Sequence, residues 1–118
     1  MATDPRTRRD VVRGDGERSA FHAFREARYG TRIGFRFADG RMTSLPYTHL
    51  VETEFDPDAG IILTFVGHRV ALIGRNLADL ALRFEEETVA EVFERHDHHG
   101  LRVAADAAFI ERIEWGRI

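Results

Sequence analysis

The sequence predicts a mainly β (α+β) fold: an antiparallel meander forming a small barrel or strongly bent sheet, covered by one or two short helices. Three observations carry this expectation. Residues 31–87 hold five short runs of alternating apolar and polar side chains separated by turn chemistry. Two neighbouring turns, at 56–60 and at Gly67-His68, independently set Leu63 and Phe65 on one face with apolar partners opposite. The following run, 76–87, switches to helical spacing, with Leu77, Leu80, Ala81 and Phe84 at i, i+3, i+4 and i+7.

Taken in order, residues 1–18 mix Arg, Asp, Gly and Pro around a single aliphatic pair, Val11 and Val12. They read as a flexible arginine-rich leader ahead of one β-rich domain over 19–118. Residues 19–29 read as a short helix, with Ser19 as cap, Gly30 as stop, and Ala20, Phe21, Phe24 and Ala27 on one face. Asp39-Gly40 then joins strands over 32–38 and 41–45 as a two-residue turn. That turn sets Phe37 opposite Met42, on the face of Ile33 and Phe35. Pro46 cannot donate to a ladder, so it ends the strand or marks a sheet edge.

Residues 48–55 alternate next, and the 56–60 loop sets Phe55 opposite Ile61, Thr53 opposite Leu63 and Val51 opposite Phe65. Gly67-His68, with Gly first as a type II′ turn wants, sets Phe65 opposite Val70, Leu63 opposite Leu72 and Ile62 opposite Ile73. The other face of these strands, Ile62, Val66, Ala71 and Ile73, is also apolar, and the 76–87 helix is expected to cover it. Asn76 is placed as that helix's N-cap with Asp79 at N3, while Glu85, Glu86 and Glu87 crowd the C-terminal end that the dipole makes unfavourable for acids. Residues 88–94 alternate as a further strand, 95–100 read as a polar loop, and 101–103 as extended. The last segment supports a helix over 104–113 or a strand over 108–115 with Phe109, Ile113 and Trp115 inward. The strand is preferred because it protects a sheet edge. In architecture alone the result resembles the Sm-like, SH3-like and PH-like small barrels.

At 118 residues the chain is one domain, long enough for a core without disulfides or a structural metal. It has no cysteine, which excludes thiolate chemistry and fits a reducing compartment, so the expected location is cytoplasmic. No signal-like or bilayer-length apolar run is present. The net charge of −3 is uneven: residues 1–49 carry ten Arg against six acids, and residues 50–118 seven Arg against fourteen. Such a split favours partner steering or head-to-tail association. Every basic side chain is Arg, a bias that GC-rich coding produces, so the arginines alone do not denote nucleic acid.

Two clusters carry candidate chemistry. In the string 95–100, His96, His98 and His99 are candidate ligands for a divalent metal; nothing else has metal-ligand spacing, and Asp106 or the 85–87 acids would join only through tertiary folding. A solvated loop is the preferred reading, and no cofactor is expected. Asp97-His98-His99 is similar to the short signature of the DHH phosphoesterases, but the further aspartate motifs of that family are absent. The second cluster is Arg41, Tyr47 and His49 around Pro46, with Arg75 ahead of the helix, placed for an anion, a peptide or an RNA base. There is no nucleophile elbow, P-loop or dinucleotide fingerprint. The expected function is therefore a non-enzymatic binding or self-assembly module, partnered by itself or by another protein. The alternatives are a metal-binding protein or metal-dependent hydrolase using His96, His98 and His99, and RNA or single-strand binding through Arg6, Arg8, Arg9 and Arg13 with the 41–49 edge.

Overall fold

The alternation over residues 31–87 builds two sheets rather than one. The computed structural model describes residues 23–28, 30–95 and 106–118. One sheet contains β1 (Phe24–Glu26), β2 (Arg32–Arg36), β3 (Met42–Pro46) and β7 (Val89–Phe93), in the order β1-β7-β2-β3. The other contains β4 (Leu50–Asp56), β5 (Gly60–Phe65), β6 (His68–Arg75) and β8 (Phe109–Arg117), in the order β4-β5-β6-β8. Among the described residues one α-helix, α1 (Ala78–Glu85), follows β6. The described strands do not close into a barrel, and all pairings are antiparallel except β2 with β7.

The expected meander breaks at Pro46. Tyr47 N–H makes the last contact of the first sheet, to Thr31 O at 2.9 Å, and a 3-10 turn over Tyr47–His49 carries the chain into β4. His49 O then accepts Val66 N–H at 2.8 Å. Its other end, near Arg41, lies beside Trp115, so β3 runs across the end of the second sheet from β8 to β4. A strand that passes from one sheet to the other in this way makes a corner between them.

The 19–29 helix is not what forms over the described part of that segment. Phe24–Glu26 is a strand, paired antiparallel to β7 with Phe24 opposite Val92. Residues 19–22 lie outside the described residues. A helix this short has little stability of its own, and the open edge of β7 offers ladder bonds that override its propensity.

The registers separate into even and odd slips. In the β2–β3 hairpin, Arg36 pairs with Met42 and Phe35 with Thr43, one position from expectation. The loop has three residues, with Gly40 at φ 96 and Asp39 accepting Arg41 N–H at 3.0 Å. The odd slip turns Met42 outward, 53% exposed, and brings Leu45 against the core. In the second sheet, Phe55 opposite Ile61 and Thr53 opposite Leu63 stand as expected, but a bulge at Val51 puts Leu50 opposite Phe65. Between β5 and β6 the loop is Val66-Gly67, not Gly67-His68. Phe65 pairs with His68 and Leu63 with Val70, two positions from expectation. Gly67 at φ 86 takes the second loop position, where a type II turn requires positive φ. Because this slip is even, Leu63, Phe65, Val70 and Leu72 still face inward and are fully buried.

One core unites both sheets and the helix, from Ile33 and Phe35 through Leu63, Leu72 and Phe84 to Ile110. Leu77, Leu80, Ala81 and Phe84 all belong to it, so α1 packs into the inner core and not on the outer face of Ile62, Ala71 and Ile73. Asn76 is not an N-cap: it sits at φ 59 and its Nδ2 donates to Ala107 O at 3.0 Å, tying the helix entry to the start of β8. Leu77 takes the capping position without a side-chain bond. The C-terminal segment forms the preferred strand. A bulge at Ile73/Gly74 re-aims it, however, so that Ile110 rather than Phe109 is buried beside Ile113.

At the helix C-terminus, Thr88 N–H reaches Arg83 O and Glu87 N–H reaches Phe84 O, both at 3.1 Å, with Glu87 at φ 60. This is a Schellman motif with glutamate where glycine is preferred. Arg83 offsets the acid crowding by pairing with Glu86 at 3.2 Å, Asp79 at 3.3 Å and Glu26 at 3.5 Å. The strain at Glu87 remains. Glu87→Gly should raise stability by ~1 kcal/mol in thermal unfolding, since left-handed backbone costs non-glycine residues that much. A fall in Tm would show that the conformation carries no such penalty.

Candidate functional site

A cleft of about 470 Å³ opens where β3 crosses the end of the second sheet. Phe37, Arg41, Thr43 and Leu45 form one wall, and His68, Ile113 and Trp115 the other, with Glu94 between them. The walls follow from strand alternation: Thr43 and Leu45 face inward with Phe35 and Ile33, and His68 and Trp115 with Val70. Behind Trp115, in the core, Phe35 meets the indole edge-on at 5.2 Å and Phe65 at 6.1 Å. Phe37 meets the same indole at 6.2 Å.

Glu94 ties the sheets together. Its Oε1 accepts Ala38 N–H at 2.8 Å, from the β2–β3 loop, and its Oε2 accepts Ile113 N–H at 2.9 Å, from β8. A carboxylate accepting two backbone amides is held in charge-assisted bonds, and its role here is structural. His68 is in the opposite condition. Its ring lies 5.5 Å from Trp115, and its Nδ1 is buried with no hydrogen-bond partner among the described residues. Arg117 stands directly opposite His68 on the same face of the ladder, exposed and with no ion-pair partner among the described residues. Across the cleft, the Arg41 guanidinium lies over the Phe37 ring at 4.9 Å and meets Asp39 Oδ2 at 2.8 Å. Arg41 N–H, and then its side chain, holds the Asp39 carboxyl below its usual range.

Of the four residues expected to form a ligand site, Arg41 alone lines this cleft. Tyr47 is buried, not exposed, and its hydroxyl donates to Val89 O at 2.7 Å, joining the turn after β3 to β7. His49 is exposed beside the Val66-Gly67 turn. Arg75 lies at the far end of the second sheet, over Phe109 at 4.9 Å. The metal candidates His96, His98 and His99 lie outside the described residues. Among the described residues, no group of three or more His, Cys, Asp and Glu side chains is arranged to hold a metal ion. No helix among the described residues is long and apolar enough to cross a membrane. Sequence reasoning missed His68 and Glu94 as site residues. Neither has a local motif, and only the sheet crossing brings them together.

Burial raises the Tyr47 phenol from 10.0 to about 12. A folded pKa above the unfolded value means that the neutral phenol's contribution is fully present below pH 10 and is lost as pH rises through 12. In a Tyr29→Phe background, which leaves Tyr47 as the only tyrosine, phenolate absorbance should therefore appear together with loss of circular dichroism. Phenolate forming at pH 10 in folded protein would contradict this burial.

No family model, no curated protein and no solved structure matches the chain.

Proposed function

We propose that this protein is a non-enzymatic binding module whose ligand site is the cleft where β3 crosses the end of the second sheet. The observation that carries this reading is the concave, aromatic-lined space itself, with Phe37, His68 and Trp115 among its walls and Arg41 and Glu94 as its charged groups. A concave cleft lined by aromatic side chains and a few polar groups is the ordinary form of a ligand site. The volume, about 470 Å³, is in the range of small-molecule sites. The non-enzymatic part is supported by Glu94, the carboxylate of the cleft, whose oxygens both serve backbone amides. The absence of cysteine supports a cytoplasmic setting.

The test is an amide-correlation NMR screen of tag-free protein with a mixed set of acidic, basic and neutral aromatic fragments. Shifts gathered at Phe37, His68 and Trp115 are expected. A set that moves none of these amides would end the proposal. Self-association is a second reading, favoured by edge strand β4, where Val51 is 70% and Phe55 38% exposed. Native mass spectrometry separates the two, because a defined oligomer supports self-association and a monomer excludes it. The same spectrum reads any metal held by His96, His98 and His99.

A further inference from the structure

We infer that the outer face of the second sheet is a two-fold interface between copies of this chain, an inference that rests on the self-association reading and is independent of the cleft. Alternation fixes what lies there. Ile62 of β5 stands beside Ala71 of β6, with Ile73 following on the same face, opposite to buried Leu63, Val70 and Leu72. All three are half-buried, and none belongs to the core or to the partly buried side chains packed on it. At the hairpin end of this face Val66 is 61% and Ile118 67% exposed, and Ile118 N–H donates to Gly67 O at 3.2 Å. Exposed Val51 lies there too, two residues after His49, whose carbonyl accepts Val66 N–H. A sheet apolar on both faces needs both covered, and α1, the expected cover, packs into the inner core instead.

Charge selects the occupant. On this face β4 presents Glu52 and Glu54 and β6 presents Arg69, all exposed and without an ion-pair partner among the described residues. Beyond Arg69, β8 carries Arg112, bound to its neighbour Glu114 at 2.8 Å. Acid and base thus flank opposite sides of one apolar stripe, an arrangement that a copy of the same surface complements. Glu52, Thr64 and Arg69 share one ladder rung, and Asp56, Gly60, Ile73 and Arg112 share another. A two-fold axis along the strands therefore lays β4 of one copy over β6 and β8 of the other. Glu52 then approaches Arg69, and Asp56 approaches Arg112, twice per dimer. Glu54 meets Glu114, an adverse contact that the guanidinium beside Glu114 moderates. An axis across the strands stacks β4 on β4, acid on acid, and is disfavoured. Four strands about 4.8 Å apart and about 23 Å long cover roughly 450 Å² per copy, the low end for a specific interface, so a micromolar dimer is expected.

Sedimentation velocity of the full chain over a concentration series should show a single monomer–dimer equilibrium. Val66→Asp and Arg69→Glu should each weaken the dimer by about tenfold or more, because a two-fold interface carries every substitution twice. Combining Glu52→Arg with Arg69→Glu exchanges the two signs and should restore affinity close to that of the parent. Met42→Asp, at a similarly exposed apolar position on the edge of the other sheet, should leave the dimer unchanged. The substituted positions are all exposed, and circular dichroism confirms that each variant folds. A dimer that neither Val66→Asp nor Arg69→Glu weakens, or that Met42→Asp weakens equally, overturns the face assignment while leaving self-association standing. A charge exchange that fails to restore affinity overturns the axis along the strands, and with it the pairing argued above. A monomer at every concentration overturns self-association as well, and assigns this face to other residues of the chain or to a different protein.

Discussion

Alanine at Gly60 or Gly74 should lower the unfolding free energy by about 3 kcal/mol or more, beyond the ordinary range for overpacking. At Gly60 a Cβ would run into the Leu72 carbonyl, and φ is 139, a conformation that only glycine adopts readily. At Gly74 the Cβ would meet Phe109 O, inside the bulge that re-aims β8. Both obstacles are backbone carbonyls of the neighbouring strand, so neither can swing aside as a side chain could. Gly40 and Gly67 supply the comparison. They have positive φ, but open space where the Cβ would go, so alanine there should cost only about 1 kcal/mol. Urea unfolding of the four variants measures the gap. Equal losses at all four would mean that the carbonyl contacts do not govern these positions.

The second large effect belongs to Glu94. Glu94→Gln keeps one acceptor but turns an NH2 group toward a backbone N–H, leaving either Ala38 or Ile113 without its bond. An amide stripped of its partner in a part-buried setting costs about 1–3 kcal/mol. Glu94→Ala strips both; since the Ala38 bond is exposed and only the Ile113 bond is part-buried, a loss of about 1–3 kcal/mol is expected. The effect should also be local. Ala38 sits next to Phe37 and Ile113 lies two residues from Trp115, so the cleft walls lose their tie. Trp115 emission should shift toward that of an exposed indole below the unfolding transition. An alanine variant as stable as the parent, with unchanged emission, would rule out the clamp.

These residues also show what was legible in the sequence. Side-chain parity was readable, because it depends only on alternation. The β5–β6 hairpin kept its inward set through a two-residue error, since two positions return every side chain to its own face. The β2–β3 hairpin did not. Asp39-Gly40 suits a two-residue turn, but the Asp39 contact to Arg41 N–H and positive φ at Gly40 alone fit a three-residue loop, and β3 changed faces. The strand over 24–26 was illegible for another reason: its ladder partner, β7, is far along the chain. Tyr47 looked like an exposed recognition residue because nothing nearby shows that Val89 O awaits its hydroxyl. The candidate site was hardest of all. Arg41 was visible as an isolated cation, whereas His68, Glu94 and Trp115 acquire meaning only when two sheets cross.

The parallel pairing of β2 with β7 has a consequence for how the molecule assembles. Phe35 and Val92 are neighbours in the sheet, yet the chain between them holds β3 to β6 and α1. Closing so long a loop is entropically slow, whereas the β4–β5 and β5–β6 hairpins close over a few residues each. The second sheet is therefore expected to form early, with β7 sealing the first sheet late. Pulse-labelled hydrogen exchange during refolding should protect the β5 and β6 amides before those of β2, and the reverse order would refute this sequence of events. Glu94, just beyond β7, can join Ala38 to Ile113 only after that step. The end of the molecule that holds the cleft is thus the last part to mature, on a chain whose remaining fold already exists.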